Sequence, residues 1–335
     1  ALCLPREEFD EKRVADSVKE LQCEFTGNSF HLHMYMGVYE IRDRDEAVSI
    51  MVDKANIAAD TIKNNYDCCV AYYDEHLLEI SIEQRRLLGE FEPALQNDEF
   101  VMYLQPQVKR DGAAKGAEAL VRWVHPSRGI LTPYAFIDIL ENAGLIYKLD
   151  LYIWEKAAQK LAEWKEKGYG SYHISVNIST KDFYIIDIYE TFTGLINKYG
   201  IAASNLHLEI TETTLMTDFE KNMNIIHKLQ GVGFRVEIDD FGSGYSSLNM
   251  LKDISADVLK IDMGFLRKSE NEVKGQDILE SIITLAGKIG MDVITEGVET
   301  KKQLDMLTMM GCHEFQGYYF SKPVPVSEFE EKYLV

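Results

Sequence analysis

The sequence predicts an α/β chain built around a β/α barrel, and three observations predict it. From residue 99 onward short β-branched runs alternate with helical stretches, and strands that alternate with helices pair in parallel. The candidate strands are 100–108, 117–123, 172–178, 206–211, 235–239, 258–262, 292–296 and 315–320, the number that closes a barrel. Within them, polar residues alternate with apolar ones and gather toward the C-terminal ends. The competing fold, an open doubly wound sheet, calls for a Gly-rich first turn, and neither GxGxxG nor GxxxxGK[ST] occurs.

The chain has 335 residues, room for about two domains at roughly 100–200 residues each. Residues 1–75 read as a small α/β piece. Val14, Val18, Leu21 and Phe25 mark one face of a helix. Phe30, Leu32, Met34, Met36 and Val38 alternate with His31, His33, Tyr35 and Gly37 as a strand does. Residues 47–63 are helical in composition and 68–73 form a short strand. His31 and His33 share a strand face without a third ligand nearby in sequence, and are read as solvent-facing. Residues 76–98 look helical, with Leu77, Leu78, Leu87, Leu88, Phe91 and Leu95 on the apolar side. The boundary is placed within 85–95, giving a front piece over 1–85, a connecting helix over 86–98 and the barrel over 99–335.

The charge is strongly acidic, 35 Lys+Arg against 55 Asp+Glu, net −20. That argues against non-specific grip on polymeric nucleic acid, which needs a basic stripe, and means that an anionic substrate needs positive charge in the site itself. No run reaches the ~18 apolar residues of a membrane span, and no basic-then-apolar leader opens the chain. The first residue is Ala, as in a piece of something longer. No membrane contact within the chain and a cytoplasmic location are expected. Cys3, Cys23, Cys68, Cys69 and Cys312 are odd in number and contain no CxxC. They read as buried, reduced thiols rather than a disulfide framework or zinc site.

The strand phases point to chemistry. Ile174, Val176 and Ile178 oppose Ser175, Asn177 and Ser179; Leu206, Leu208 and Ile210 oppose His207, Glu209 and Thr211. Val236 and Ile238 oppose Glu237 and Asp239, and Leu259 and Ile261 oppose Lys260 and Asp262. Successive strand side chains face opposite ways, so the apolar set packs under helices and the polar set fills the lumen. Glu118, Asn177, Glu209, Asp239, Asp240, Lys260, Glu296 and Gln316 then collect at the C-terminal end, where barrel enzymes place their chemistry. Lumenal carboxylates are costly unless paired or holding metal. Carboxylates with an amide oxygen make a hard-oxygen site suited to Mg²⁺ or Mn²⁺, and adjacent Asp239 and Asp240 suit two ions. Asp240-Phe241-Gly242 spells the kinase DFG, but no Gly-rich loop, strand lysine and HRD sequence precede it in order.

The motifs identify a family resemblance. Tyr103-Leu104-Gln105-Pro106, Glu118-Ala119-Leu120-Val121-Arg122-Trp123, Val176-Asn177-Ile178-Ser179, Leu208-Glu209-Ile210-Thr211-Glu212 and Asp239-Asp240-Phe241-Gly242 occur in order. Leu259-Lys260-Ile261-Asp262, Glu296-Gly297-Val298-Glu299-Thr300 and Gln316-Gly317-Tyr318 follow. Residues 99–335 thereby resemble the EAL family of cyclic di-GMP phosphodiesterases. The resemblance implies a modified, TIM-like β/α barrel whose first strand departs from the parallel pattern. It implies hydrolysis of cyclic di-GMP to linear 5′-pGpG with two Mg²⁺ or Mn²⁺ ions. Glu118, Asn177, Glu209 and Asp239 would hold the first ion, with Asp239 bridging and Asp240 and Glu296 serving the second. Lys260 would orient or activate the attacking water, and Gln105, Arg122 and Gln316 would contact the dinucleotide or its water. Glu212 would anchor the loop 241–248, and the protein would form homodimers through that region. Ser243 stands where Thr is common, and Met263-Gly264 where Arg-Ser is common. A catalytically silent receptor for cyclic di-GMP is the alternative; the full residue set favours the enzyme. Met36-Gly37-Val38 and the helix-strand order ending in Tyr72-Tyr73 resemble the latter half of a GGDEF (diguanylate cyclase) domain. The nucleotide-binding half lies outside this sequence, so no cyclase activity is expected.

Overall fold

The computed structural model describes residues 2–16, 34–63, 68–242, 254–264 and 272–334. The chain divides into two compact units, Ala1–Glu90 and Phe91–Val335. In the first, β1 (Met36–Val38) and β2 (Val70–Tyr72) pair in parallel across α1 (Val48–Asp60). Gly37 sets how closely the helix approaches, because a Cβ there would stand 1.7 Å from the Ala55 carbonyl oxygen. Lys54 ties α1 to the chain before it through Glu46 at 2.5 Å and lies 4.6 Å from the Tyr39 ring centre. Of the expected front helix and strand, Val18, Leu21, Phe25 and 30–33, His31 and His33 included, lie outside the described residues. Helix α2 (Glu75–Gln96) carries the boundary between the units.

The second unit begins with a hairpin. β3 (Phe100–Lys109) and β4 (Ala114–His125) pair antiparallel, with Gln105 opposite Glu118. The alternation of strands and helices alone points to a parallel start; the antiparallel first strand is what the family resemblance implies. The residues between these strands are too few for a crossover, which takes a dozen or more, and Gly112 at φ +85 closes the turn. β5 (Gly129–Leu131) extends β4 outward. Then come α3 (Ile137–Ala143), α4 (Ile146–Glu166), β6 (His173–Ile178), α5 (Asp182–Ile185), α6 (Ile188–Tyr199), β7 (Leu206–Thr211), α7 (Glu212–Thr217) and α8 (Phe219–Val232). β8 (Val236–Asp239), β9 (Val258–Asp262), α9 (Glu272–Lys288), β10 (Asp292–Glu296), α10 (Lys301–Met309) and β11 (Glu314–Phe315) follow. β4, β6, β7, β8, β9, β10 and β11 run parallel in that order, and β11 pairs antiparallel with β3 to close an eight-stranded barrel. Closure excludes the open sheet. β12 (Val324–Pro325) adds to β3, and α11 (Val326–Tyr333) ends the fold.

The last barrel strand is shorter than the expected 315–320. Backbone pairing stops because the chain turns at Gly317, φ +156, where a Cβ would stand 2.3 Å from the Val298 carbonyl oxygen. Elsewhere the alternation holds. Ile174, Val176, Leu206, Leu208, Ile210, Val236, Ile238 and Leu259 are wholly buried, each contributing roughly 1.5–3 kcal/mol on leaving water. The buried face of α4 includes Trp154, Ala157, Ala158 and Trp164. Trp154 donates to the Asn177 carbonyl at 2.9 Å, so this indole is satisfied and β6 is pinned beside its site residue. Among the cysteines, Cys69 and Cys312 are buried and Cys68 partly so, whereas Cys3 is exposed against expectation. No helix among the described residues is long and apolar enough to cross a membrane.

Candidate active site

The lumen at the C-terminal end of the barrel is built around one ammonium. Lys260 is wholly buried, and its Nζ lies 2.8 Å from Glu209 Oε2, 2.8 Å from Glu296 Oε1, 3.3 Å from Asp239 Oδ1 and 3.5 Å from Glu118 Oε2. Five strands supply these groups: β4, β7, β8, β9 and β10. Alternation aims them inward, and the register sets Glu209 beside Asn177 and Thr211 beside Asp239. Asn177 Nδ2 donates to Glu118 Oε1 at 3.2 Å. Gln316 Nε2 donates to Glu118 Oε2 and to Gln105 Oε1, and Gln105 Nε2 donates to the Ser321 carbonyl at 3.3 Å. The expected residues Glu118, Asn177, Glu209, Asp239, Lys260, Glu296, Gln316 and Gln105 are thus in one place.

Burial grades from floor to mouth. Glu209 and Lys260 are sealed, Asp239 and Glu296 are half-buried, and Asn177 and Asp240 are exposed. Asp240 has φ +55, a left-handed conformation that is costly outside glycine. Arg122 stands one strand period beyond Leu120 from Glu118, with its guanidinium carbon 5.5 Å from the Tyr103 ring centre. It lies toward the mouth, apart from the carboxylate ring. Glu212 is buried at the first turn of α7; of the loop it was expected to anchor, 243–248 lie outside the described residues.

The electrostatics are those of a site short of positive charge. Burial, then the Glu118 charge, pushes the Glu209 carboxyl well above its ordinary range, with Lys260 opposing. Burial pushes Glu296 up to about 8, helped by Asp239 and Glu118. Burial also works against the Lys260 ammonium, but Asp239, Glu118, Glu209 and Glu296 outweigh it and hold it charged. Glu209 Oε1 is buried without a hydrogen-bond donor, and Glu209 Oε2, Asp239 Oδ1 and Glu296 Oε1 share the single Lys260 ammonium. Four carboxyl groups sharing one ammonium leave negative charge in excess and fit hard divalent cations.

Comparison with known proteins agrees with this geometry. The EAL domain profile matches residues 89–323. The chain belongs to the EAL-domain family. MucR of Pseudomonas aeruginosa, a bifunctional diguanylate cyclase/cyclic di-GMP phosphodiesterase, is 32% identical over 81% of this chain and 39% of its own length. The cyclic di-GMP phosphodiesterase PdeR of Escherichia coli is 33% identical over 72% of this chain and 36% of its own. The chain therefore spans well under half of either relative. The solved PaMucR phosphodiesterase in its c-di-GMP complex superposes with a TM-score of 0.69 at 33% identity, covering 73% of this chain and 99% of that one.

The EAL tripeptide itself sits in the middle of β4, with Glu118 facing the lumen and Ala119 the core. Sequence reasoning left a second lumenal group of this EAL domain unassigned. His173, His207 and Glu237 lie toward the N-terminal ends of β6, β7 and β8, all buried. Alternation had put His207 and Glu237 in the lumen, but nothing in the spacing joined them to His173. Asp262, at the end of β9 and in register with Glu296, was also given no role.

Proposed function

We propose that this EAL domain hydrolyses cyclic di-GMP to linear 5′-pGpG in a divalent-metal-dependent reaction. The ring of Glu118, Glu209, Asp239 and Glu296 around Lys260 carries the reading, and the activities named for MucR and PdeR support it. Glu118, Asn177, Glu209 and Asp239 would hold one Mg²⁺ or Mn²⁺, and Asp239, Asp240 and Glu296 a second. When bound, such ions neutralise phosphate charge and make water a stronger nucleophile.

The chain's own groups do the rest. A water oxygen adds to phosphorus as the P–O3′ bond breaks, and one of the water's protons ends on the departing O3′, leaving a 5′-phosphate and a 3′-hydroxyl. Lys260, held protonated by its carboxylates, donates a hydrogen bond to that water and steadies developing negative charge. Arg122 at the mouth takes a non-bridging phosphate oxygen. Gln105 and Gln316, locked to each other and to Glu118, present amides that orient substrate and water. We further infer that residues 1–85 are the latter half of a GGDEF-like fold without cyclase activity, joined by the connector 86–98 to the catalytic barrel 99–335. The domain would act in the cytoplasm as a homodimer through the region of 241–248, with Glu212 holding that loop. Sedimentation of the purified chain tests the dimer, and a monomer at full activity refutes it.

The decisive experiment incubates the protein with cyclic di-GMP and Mg²⁺ or Mn²⁺, with a chelator control, and separates the products. Metal-dependent pGpG is expected, and Glu118→Ala should abolish it. Tight binding without pGpG from the unsubstituted protein would make the chain a receptor instead.

A further inference from the structure

The lower lumen holds a constellation that the proposed phosphodiesterase chemistry does not use. His173 opens β6, His207 is the second residue of β7 and Glu237 the second of β8. One ligand atom from each lies within 4.8 Å of the others. His207 Nδ1 is 2.6 Å from Glu237 Oε1, and His173 Nε2 is 2.7 Å from Gln107 Oε1. The two imidazoles lie face to face, centroids 3.8 Å apart and planes within 4°. Ser175 Oγ completes the floor, 3.3 Å from Glu237 Oε1.

Hydrogen bonding alone leaves this group incomplete. Glu237 Oε2 and Gln107 Nε2 are buried without partners, and each such atom costs about 1–3 kcal/mol. Burial, then the neighbouring His207, holds His173 well below the ordinary histidine range, so its imidazole is neutral and offers a lone pair. The His173 ring packs flush against β4, where only a glycine admits it. Gly116 of β4 faces His173, and a Cβ there would stand 2.4 Å from the ring. A glycine, two stacked imidazoles, a carboxylate with an idle oxygen and an amide oxygen converge from five strands in a sealed space.

We propose that His173, His207 and Glu237 bind one transition-metal ion of the Zn²⁺ class, separate from the carboxylate site above. Two imidazoles and a carboxylate are a zinc-type donor set, whereas the upper ring offers oxygen only. Tetrahedral bonds of about 2.0–2.2 Å need both ring nitrogens aimed at one point, so the parallel imidazoles would turn out of their stack as the ion enters, and Gln107 Oε1 would supply the fourth position. The ion would tie β6, β7 and β8 together, with His207 and Glu237 two residues, about 7 Å along the strands, below Glu209 and Asp239, and His173 four residues below Asn177. It is a structural pin for the ligands above.

The test uses the full chain, stripped of metal and titrated with Co²⁺ and Zn²⁺. Co²⁺ in a four-coordinate, imidazole-containing site gives intense visible absorption, and Co²⁺ in an all-oxygen site does not. One equivalent with the intense spectrum is expected, displaced by one equivalent of Zn²⁺. His207→Gln and Glu237→Gln should each weaken Zn²⁺ binding at least tenfold. Glu118→Ala, and a double substitution of His31→Ala with His33→Ala, should leave the spectrum in place. X-ray absorption at the zinc edge of the unsubstituted protein needs no variant and should show two imidazoles. No intense Co²⁺ spectrum, an intense spectrum that survives His207→Gln in folded protein, or a zinc shell without imidazole overturns the proposal.

Discussion

Lys260 is the residue on which the upper site turns. Its ammonium lies within 3.5 Å of four carboxyl groups, so it is both a counter-ion and, in the proposed reaction, the group nearest the attacking water. Lys260→Ala is expected to lower kcat by roughly 10²–10⁴ while cyclic di-GMP still binds. A variant that instead melts far lower and fails to bind metal would make the lysine a structural counter-ion only. A second residue-scale expectation concerns Asp150 and Asp182. Asp182 accepts from Ser179 N and Oγ at 2.8 Å, but Asp182 Oδ1 and Asp150 Oδ2 are buried without a donor. Burial and each other's proximity push Asp150 well above its ordinary value, burial also raises Asp182, and Glu141 adds repulsion while Lys181 bonds the Glu141 carbonyl. The folded state thus retains a proton that the unfolded chain releases near pH 4, and stability falls as pH rises from there through the raised folded value. Asp150→Asn supplies a permanent donor. It should raise Tm at pH 7–8 by a few degrees, on the order of 1 kcal/mol, and flatten the melting profile above pH 4. Equal Tm values at pH 7 and unchanged slope would remove the shared proton. Residues such as Glu118, Glu209, Asp239 and Lys260 were legible in sequence because strand alternation and ordered motifs both mark them. Asp150–Asp182 and His173 were not, because their meaning depends on partners from other elements.

Elements show the same division. The parallel strands β6 through β10 were legible to within a residue or two, since each is a β-branched run flanked by helix. The hairpin β3–β4 escaped the simple alternation argument because its direction is set by turn length, and β11 was overextended because Gly317 bends a run that still reads as a strand. β4 carries an element-scale expectation. Gly116 leaves room for the His173 ring at 2.4 Å from its missing Cβ, while its backbone pairs with Gln107 on one side and His173 on the other. Gly116→Ala should therefore destabilise the barrel by about 1–3 kcal/mol through overpacking. His173→Ala in the same chain should recover most of that loss, because it vacates the space. Urea titrations of the two single variants and the double variant measure the coupling; strict additivity would show that the glycine serves the strand and not the histidine.

At the scale of the whole molecule, two compact units and a net charge of −20 act together. The excess of negative charge raises the local concentration of cations around the chain, and among the described residues the barrel gathers four carboxyl groups around the single Lys260 ammonium. The front unit pairs two short strands against one helix and pairs its half-buried Lys54 internally with Glu46 and Tyr39. Mg²⁺ or Mn²⁺ should accordingly bind the folded barrel and not the front unit. An ion that binds only the folded state stabilises it by RT ln(1 + [L]/Kd), about 2.7 kcal/mol at a hundredfold excess over Kd. Because separate domains unfold as separate units, calorimetry of the full chain should resolve two transitions. Saturating Mn²⁺ should move one of them upward by several degrees and leave the other in place. Glu209→Gln removes a sealed carboxylate from the ring without changing its shape, and should shrink the shift while leaving the unmoved transition where it was. A shift of both transitions together, or one as large in Glu209→Gln as in the unsubstituted protein, would mean that the stabilising ions bind the acidic surface rather than the lumen.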